Sequence, residues 1–144
     1  MDPRVKEAME PFWAENFGNP GGLHAEGVNA KKAVQEARRK IARELGAKEE
    51  EIIFTGSGTE SCNLAILGAA RKYRDQGRHL ITSKIEHHAV LHPFQLLEKD
   101  GFDVTYLEVG EEGIVKPEDL RKALRPETIL VSIMYANNEI GTIQ

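Results

Sequence analysis

The sequence predicts an α/β fold with a mainly parallel sheet and flanking helices. Three observations carry this: short apolar runs alternate with amphipathic stretches, the connections are long enough to be crossovers, and a glycine-rich turn joins one apolar run to a helical stretch. Taken in order, Asp2 to about Phe17 reads as a helix, and Gly18-Asn19-Pro20-Gly21-Gly22 reads as a loop, because no regular element tolerates that cluster well. From about Ala25 to Leu45, Ala30, Val34, Ala37, Ile41 and Leu45 recur every three to four positions among Lys, Arg and Glu. That spacing predicts a long amphipathic helix with Gly46 as its C-cap. Ile52-Ile53-Phe54 reads as a short strand leading into Thr55-Gly56-Ser57-Gly58-Thr59-Glu60-Ser61, after which Leu64, Leu67, Ala70 and Tyr73 resume helical spacing. Strands at about His79–Thr82, Asp103–Leu107 and Ile129–Met134 then alternate with helices at about Ala89–Lys99 and Pro117–Leu124. Crossovers of this length favour parallel pairing, which gathers the strands' carboxyl ends on one edge, where open α/β sheets bind ligands.

Composition narrows the function classes. A chain of 144 residues with no repeat and no Pro/Ser-rich linker is expected to form one domain. A net charge of −4 offers no basic field for a nucleic-acid backbone, so no nucleic-acid partner is expected. No apolar run approaches the roughly 18–20 residues that cross a bilayer, and Met1-Asp2-Pro3-Arg4-Val5 lacks a signal-peptide core; a cytoplasmic location without membrane contact is the default expectation. The single cysteine, Cys62, cannot form an internal disulfide framework.

Three loops at the expected ligand edge carry the candidate chemistry. Thr55–Ser61 places two glycines and several hydroxyls where a helix begins, a setting that suits a phosphate but equally an ordinary turn capped by Ser57 or Thr59. It matches neither G-x-x-x-x-G-K-[ST] nor G-x-G-x-x-G, which removes the common nucleotide motifs. Ser83-Lys84-Ile85-Glu86-His87-His88 sets an acid and two imidazoles beyond a strand; His87 suits stacking on a flat ring or proton transfer, or is a plain polar loop residue. His88 and His92 stand four apart, a spacing metals accept, but no third ligand is evident and no metal site is assigned. In Tyr135-Ala136-Asn137-Asn138-Glu139-Ile140-Gly141, the paired carboxamides suit an uncharged oxygen or a carboxylate, or simply form the turn.

Taken together, these segments resemble the cysteine desulfurases, in the class V branch of fold-type I pyridoxal-phosphate enzymes. The resemblance lies in Asp2-Pro3-Arg4-Val5, Phe17-Gly18-Asn19-Pro20 with His24, Thr59-Glu60-Ser61-x-Asn63-Leu64-Ala65, Thr82-Ser83-x-x-Glu86-His87, and Val131-Ser132-x-Met134 with Asn137-Asn138-Glu139-Ile140-Gly141. It covers essentially the whole chain. It implies that residues 1–144 are the N-terminal portion of a pyridoxal 5'-phosphate (PLP) domain, an incomplete large domain of the fold-type I transferases. It further implies that Gly58 and Thr59 hold the cofactor phosphate, that His87 stacks on the pyridine ring and assists proton transfer, and that Asn138 hydrogen-bonds the ring oxygen. Position 58 is often Ala in that family, and Gly keeps the backbone donor.

The family converts L-cysteine to L-alanine and an enzyme persulfide, whose sulfur passes to an acceptor protein for iron–sulfur cluster or thio-cofactor synthesis. Its full-length members are usually homodimers. The family's cofactor-binding Lys and persulfide-forming Cys belong to later segments, beyond Gln144; Lys84 and Cys62 match neither. The expectation is therefore a fragment that is inactive alone. A related lyase such as selenocysteine lyase, and a non-catalytic phosphate-binding or assembly module, are the alternatives.

Overall fold

In the computed structural model, which describes residues 1–144, the chain gathers into two units, Met1–Phe54 and Thr55–Gln144. In the first, Asp2 caps helix α1 (Pro3–Met9) by accepting the Arg4 N–H at 2.9 Å. The helix expected to continue to Phe17 stops instead at Met9. Pro11 has no N–H for the Glu7 carbonyl, and it opens a separate single turn, α2 (Pro11–Ala14). Helix α3 (Ala25–Leu45) has the predicted bounds and ends on Gly46 in the left-handed region at φ 63°. The glycine loop before it packs backbone on backbone: a Cβ on Gly18 would lie 2.2 Å from the Glu26 carbonyl oxygen.

The strand expected at Ile52–Phe54 does not form. Glu49–Glu51 make a single 3-10 turn, and the residues after it pair with no neighbouring chain, leaving Ile53 68% exposed. An apolar run supplies the chemistry of a strand, but a ladder needs a partner. The Thr55–Ser61 loop therefore leaves no strand, and only two of the three candidate loops follow strands.

The second unit is the predicted parallel α/β arrangement. Strand β1 (His79–Ser83) lies between β2 (Asp103–Leu107) and β3 (Thr128–Ser132), and both pairings are parallel. All five β1 residues are buried, and their side chains alternate between two cores. Leu80 packs with Ile66 and Ala70 of α4 (Gly58–Lys72) and with Val90, Phe94 and Leu97 of α5 (His88–Lys99). Ile81 packs with Leu107 and Val115, joined by Leu120 and Ala123 of α6 (Pro117–Ala123). The sheet is thus covered on both faces. Its carboxyl edge carries the Lys84–His87 and Ile133–Gly141 segments.

At the opposite edge, His79 is 2% exposed and bonds across all three strands, with Nδ1 2.7 Å from Thr128 Oγ1 and Nε2 2.9 Å from Thr105 Oγ1. Burial, reinforced by Arg125, holds this imidazole below its ordinary value of 6.5, against the weaker opposing pull of Asp103 and Glu127. The unfolded chain therefore takes up a proton that the folded chain resists. That part of the stability is present above the unfolded pKa and is lost as pH falls through the folded one. Urea midpoints should drop on acidification from about pH 7 to about pH 5, and His79→Gln should flatten that dependence. Parallel curves for the two proteins would contradict this role.

Candidate functional site

Ser57 determines where α4 begins. Its extended backbone and hydroxyl cap the helix, Oγ accepting the Glu60 N–H at 3.2 Å, while Glu60 Oε2 reaches back to the Gly56 N–H at 2.7 Å. Of the two residues that the sequence left open as the cap, the structure selects Ser57. These bonds use the third helical N–H and leave those of Gly58 and Thr59 without a partner in the chain, at the positive end of a 15-residue helix. The Thr59 side chain is exposed beside them, and apart from its chain neighbours and its own helix backbone nothing lies within 4 Å of where a Gly58 Cβ would stand. Two N–H donors without a partner in the chain and an exposed hydroxyl make a donor set suited to a phosphate.

His87 caps α5 in the same manner. Its Nδ1 accepts the Ala89 N–H at 3.0 Å, so in the neutral ring the proton sits on Nε2. This bond orients an otherwise exposed ring. His88 and His92 stack on each other at 5.0 Å between centroids, both exposed, and no cluster of three or more His, Cys, Asp or Glu is arranged to hold a metal ion.

The two asparagines divide the possibilities that the sequence leaves open. Asn137 is 8% exposed and makes the turn: Oδ1 accepts the N–H groups of Glu139 (2.8 Å) and Ile140 (3.0 Å), and Nδ2 donates to the Ile85 carbonyl at 2.9 Å. Asn138 is exposed, with no hydrogen bond to its carboxamide from within the chain. His87 and Asn138 line one hollow of about 420 Å³, together with Lys84, Glu86, His88 and Ile140. Gly58 and Thr59 are not in its wall. Lys84 is exposed and ion-paired with Glu108, whereas Cys62 is half-buried against the α4/α5 core and does not line the hollow.

Glu86, Asn137 and Asn63, which stand in the sequence within motifs but not among the expected cofactor-holding residues, tie these loops together. Glu86, 7% exposed, accepts the Ser83 hydroxyl at 2.9 Å and the Met134 N–H at 2.6 Å through the same oxygen, and Asn137 makes a parallel link to Ile85. Asn63 donates to the carbonyls of Thr59 (2.9 Å) and Ala89 (3.4 Å). The second acceptor is available because Pro93, one turn further along α5, has no N–H to return to Ala89. A proline inside an amphipathic stretch was the visible signal for that free carbonyl.

The family model for class-V aminotransferases matches residues 1–144. The chain belongs to the aminotransferase class-V family. Within it, the chain is 59% identical over 140 residues to cysteine desulfurase IscS of Dictyoglomus turgidum, covering 97% of this chain and 36% of that protein. It is 56% identical over 144 residues to putative cysteine desulfurase IscS 1 of Bacillus subtilis, covering 100% and 38%. Among solved structures, a NifS-like protein superposes with a TM-score of 0.92 at 44% identity, over 100% of this chain and 40% of that one. SspA in complex with cysteine gives 0.89 at 44% identity, over 100% and 42%. This class-V chain thus spans well under half the length of the relatives it matches. No helix in it is long and apolar enough to cross a membrane.

Two outcomes follow from the geometry. Asn137→Ala leaves two N–H groups and a carbonyl unpaired and should lower the unfolding free energy by about 1–3 kcal/mol, whereas Asn138→Ala should stay within about 0.5 kcal/mol; equal losses in thermal unfolding would refute the division of roles. Gly58→Ala, entering open space at a helical position, should raise stability by about 0.4–1 kcal/mol through the unfolded chain, read from the same transition.

Proposed function

We propose that residues 1–144 form part of the PLP site of a cysteine desulfurase, an enzyme that takes sulfur from L-cysteine and leaves L-alanine and an enzyme-bound persulfide. What supports this reading is an oriented imidazole and a free carboxamide lining one hollow, with an unclaimed helix N-terminus tied to the start of α5 through Asn63. In it, Gly58 and Thr59 hold the phosphate through two N–H groups and a hydroxyl. His87 offers its ring face to the pyridine, and its Nε2 is the atom placed to exchange a proton with substrate. Asn138 donates to the cofactor's phenolic oxygen. When bound, PLP supplies an electron sink for bonds at the substrate's α-carbon. Preoriented donors favour it because their alignment is already paid for in folding.

Neither Lys84 nor Cys62 is assigned the covalent chemistry in this reading. Lys84 is engaged by Glu108, and Cys62 is packed against the core outside the hollow. The cofactor-binding lysine and the persulfide thiol come from the remaining length of the family's chain, and the sulfur-acceptor protein and the homodimer belong to that longer protein. Residues 1–144 alone are then a cradle for non-covalent PLP.

Fluorescence titration should show weak PLP binding that Thr59→Ala, His87→Ala and Asn138→Ala each weaken about three- to tenfold, the worth of one hydrogen bond or stacking contact. Borohydride treatment should trap no stable adduct at a single lysine. L-cysteine should yield no alanine until the rest of a family-length chain is supplied. Turnover by residues 1–144 alone would overturn the assignment, as would PLP binding indifferent to all three substitutions.

A further inference from the structure

The cradle's two sides are set by neighbours of the residues that touch the ligand. Glu86 precedes His87, and Asn137 precedes Asn138. Glu86 Oε1 takes the Met134 N–H at 2.6 Å, and Asn137 Nδ2 reaches the Ile85 carbonyl at 2.9 Å. The segments 83–86 and 134–137 are thereby joined at two points, and His87 and Asn138 are the next residues beyond the joins. Both joining side chains are buried, at 7% and 8% exposure. The Ser83 hydroxyl, fully buried at the end of β1, steers Glu86 by donating to the same oxygen at 2.9 Å.

We propose that Glu86 is a positioning residue: its carboxylate joins the β3 loop to the β1 loop and thereby sets the placement of Asn138 relative to His87. The proposal rests on the cofactor reading above. An acceptor that holds one backbone N–H and one hydroxyl at once has a defined direction, and low exposure keeps water from replacing either bond. Without it, only the Asn137–Ile85 hydrogen bond would join the β3 loop to the β1 loop, and one such bond permits rotation where two do not. Glu86 itself need not touch the ligand, since its effect reaches PLP through Asn138.

The test uses the chain with PLP as probe and a second readout that needs no ligand. Glu86→Ala should weaken PLP binding about tenfold, and adding Asn138→Ala to it should cost less than about twofold more, since Asn138 has already lost its place. Glu86→Gln, which keeps an acceptor oxygen, should stay within about threefold of the parent. Without ligand, amide exchange at Met134 should quicken at least about tenfold in Glu86→Ala and stay near the parent rate in Glu86→Gln. If the Ala variant does not fold, Glu86→Asp, one methylene too short to reach both partners, should give the same losses. Unchanged exchange at Met134, or a full Asn138→Ala effect in the Glu86→Ala or Glu86→Asp background, overturns the proposal. If the parent chain binds no PLP, the cofactor reading falls instead, and Met134 exchange alone decides against or for the Glu86 join.

Discussion

A single buried carboxylate oxygen, Glu86 Oε1, accepts both the hydroxyl at the end of β1 and a backbone N–H just past β3. The candidate site depends on this pair of bonds because β1 and β3 are neighbours in the sheet only as far as Ser132. Beyond it the chains no longer share a ladder, and side chains must take over the pairing. Glu86 and Asn137 do so at two successive points, and the residues that follow them face one hollow. Two buried polar joins hold a loop pair more firmly than apolar contact would, since each has one geometry that satisfies its donor and acceptor.

The same economy operates between the two helix starts. Ser57 and His87 cap α4 and α5 with their own side chains, and Asn63 spans from one start to the other by taking a carbonyl that Pro93 leaves free. Each cap uses one N–H and orients what stands beside it. At α4 two N–H groups remain without a partner in the chain; at α5 the imidazole is aligned by the bond its Nδ1 accepts.

Much of the fold was legible because it rests on local signals. The 3.6-residue spacing and Gly46 marked α3, and the alternation of apolar runs with amphipathic stretches marked the second unit and its parallel pairing. Two elements misled for opposite reasons. Pro11 ended a helix whose apolar pattern continues to Phe17, a backbone effect overriding periodicity. Ile52–Phe54 has the composition of a strand but no partner to bond.

From residue order alone came the kind of site: a glycine and hydroxyl turn, an imidazole beyond a strand, and a pair of carboxamides, in a succession that resembles one enzyme family. Tertiary structure decided which member of each group is engaged within the chain and which is left without a partner. Asn137 and Asn138 are identical in chemistry and adjacent in sequence, yet one is spent on Ile85, Glu139 and Ile140 while the other faces the hollow. Glu86 stands in the sequence as the acid of the Glu86-His87 motif, and only folding brings Met134, 48 residues away, onto its oxygen. Periodicity and capping act over a few residues and are written locally. The satisfaction of buried donors and acceptors is a property of the assembled chain, which sequence spacing does not encode.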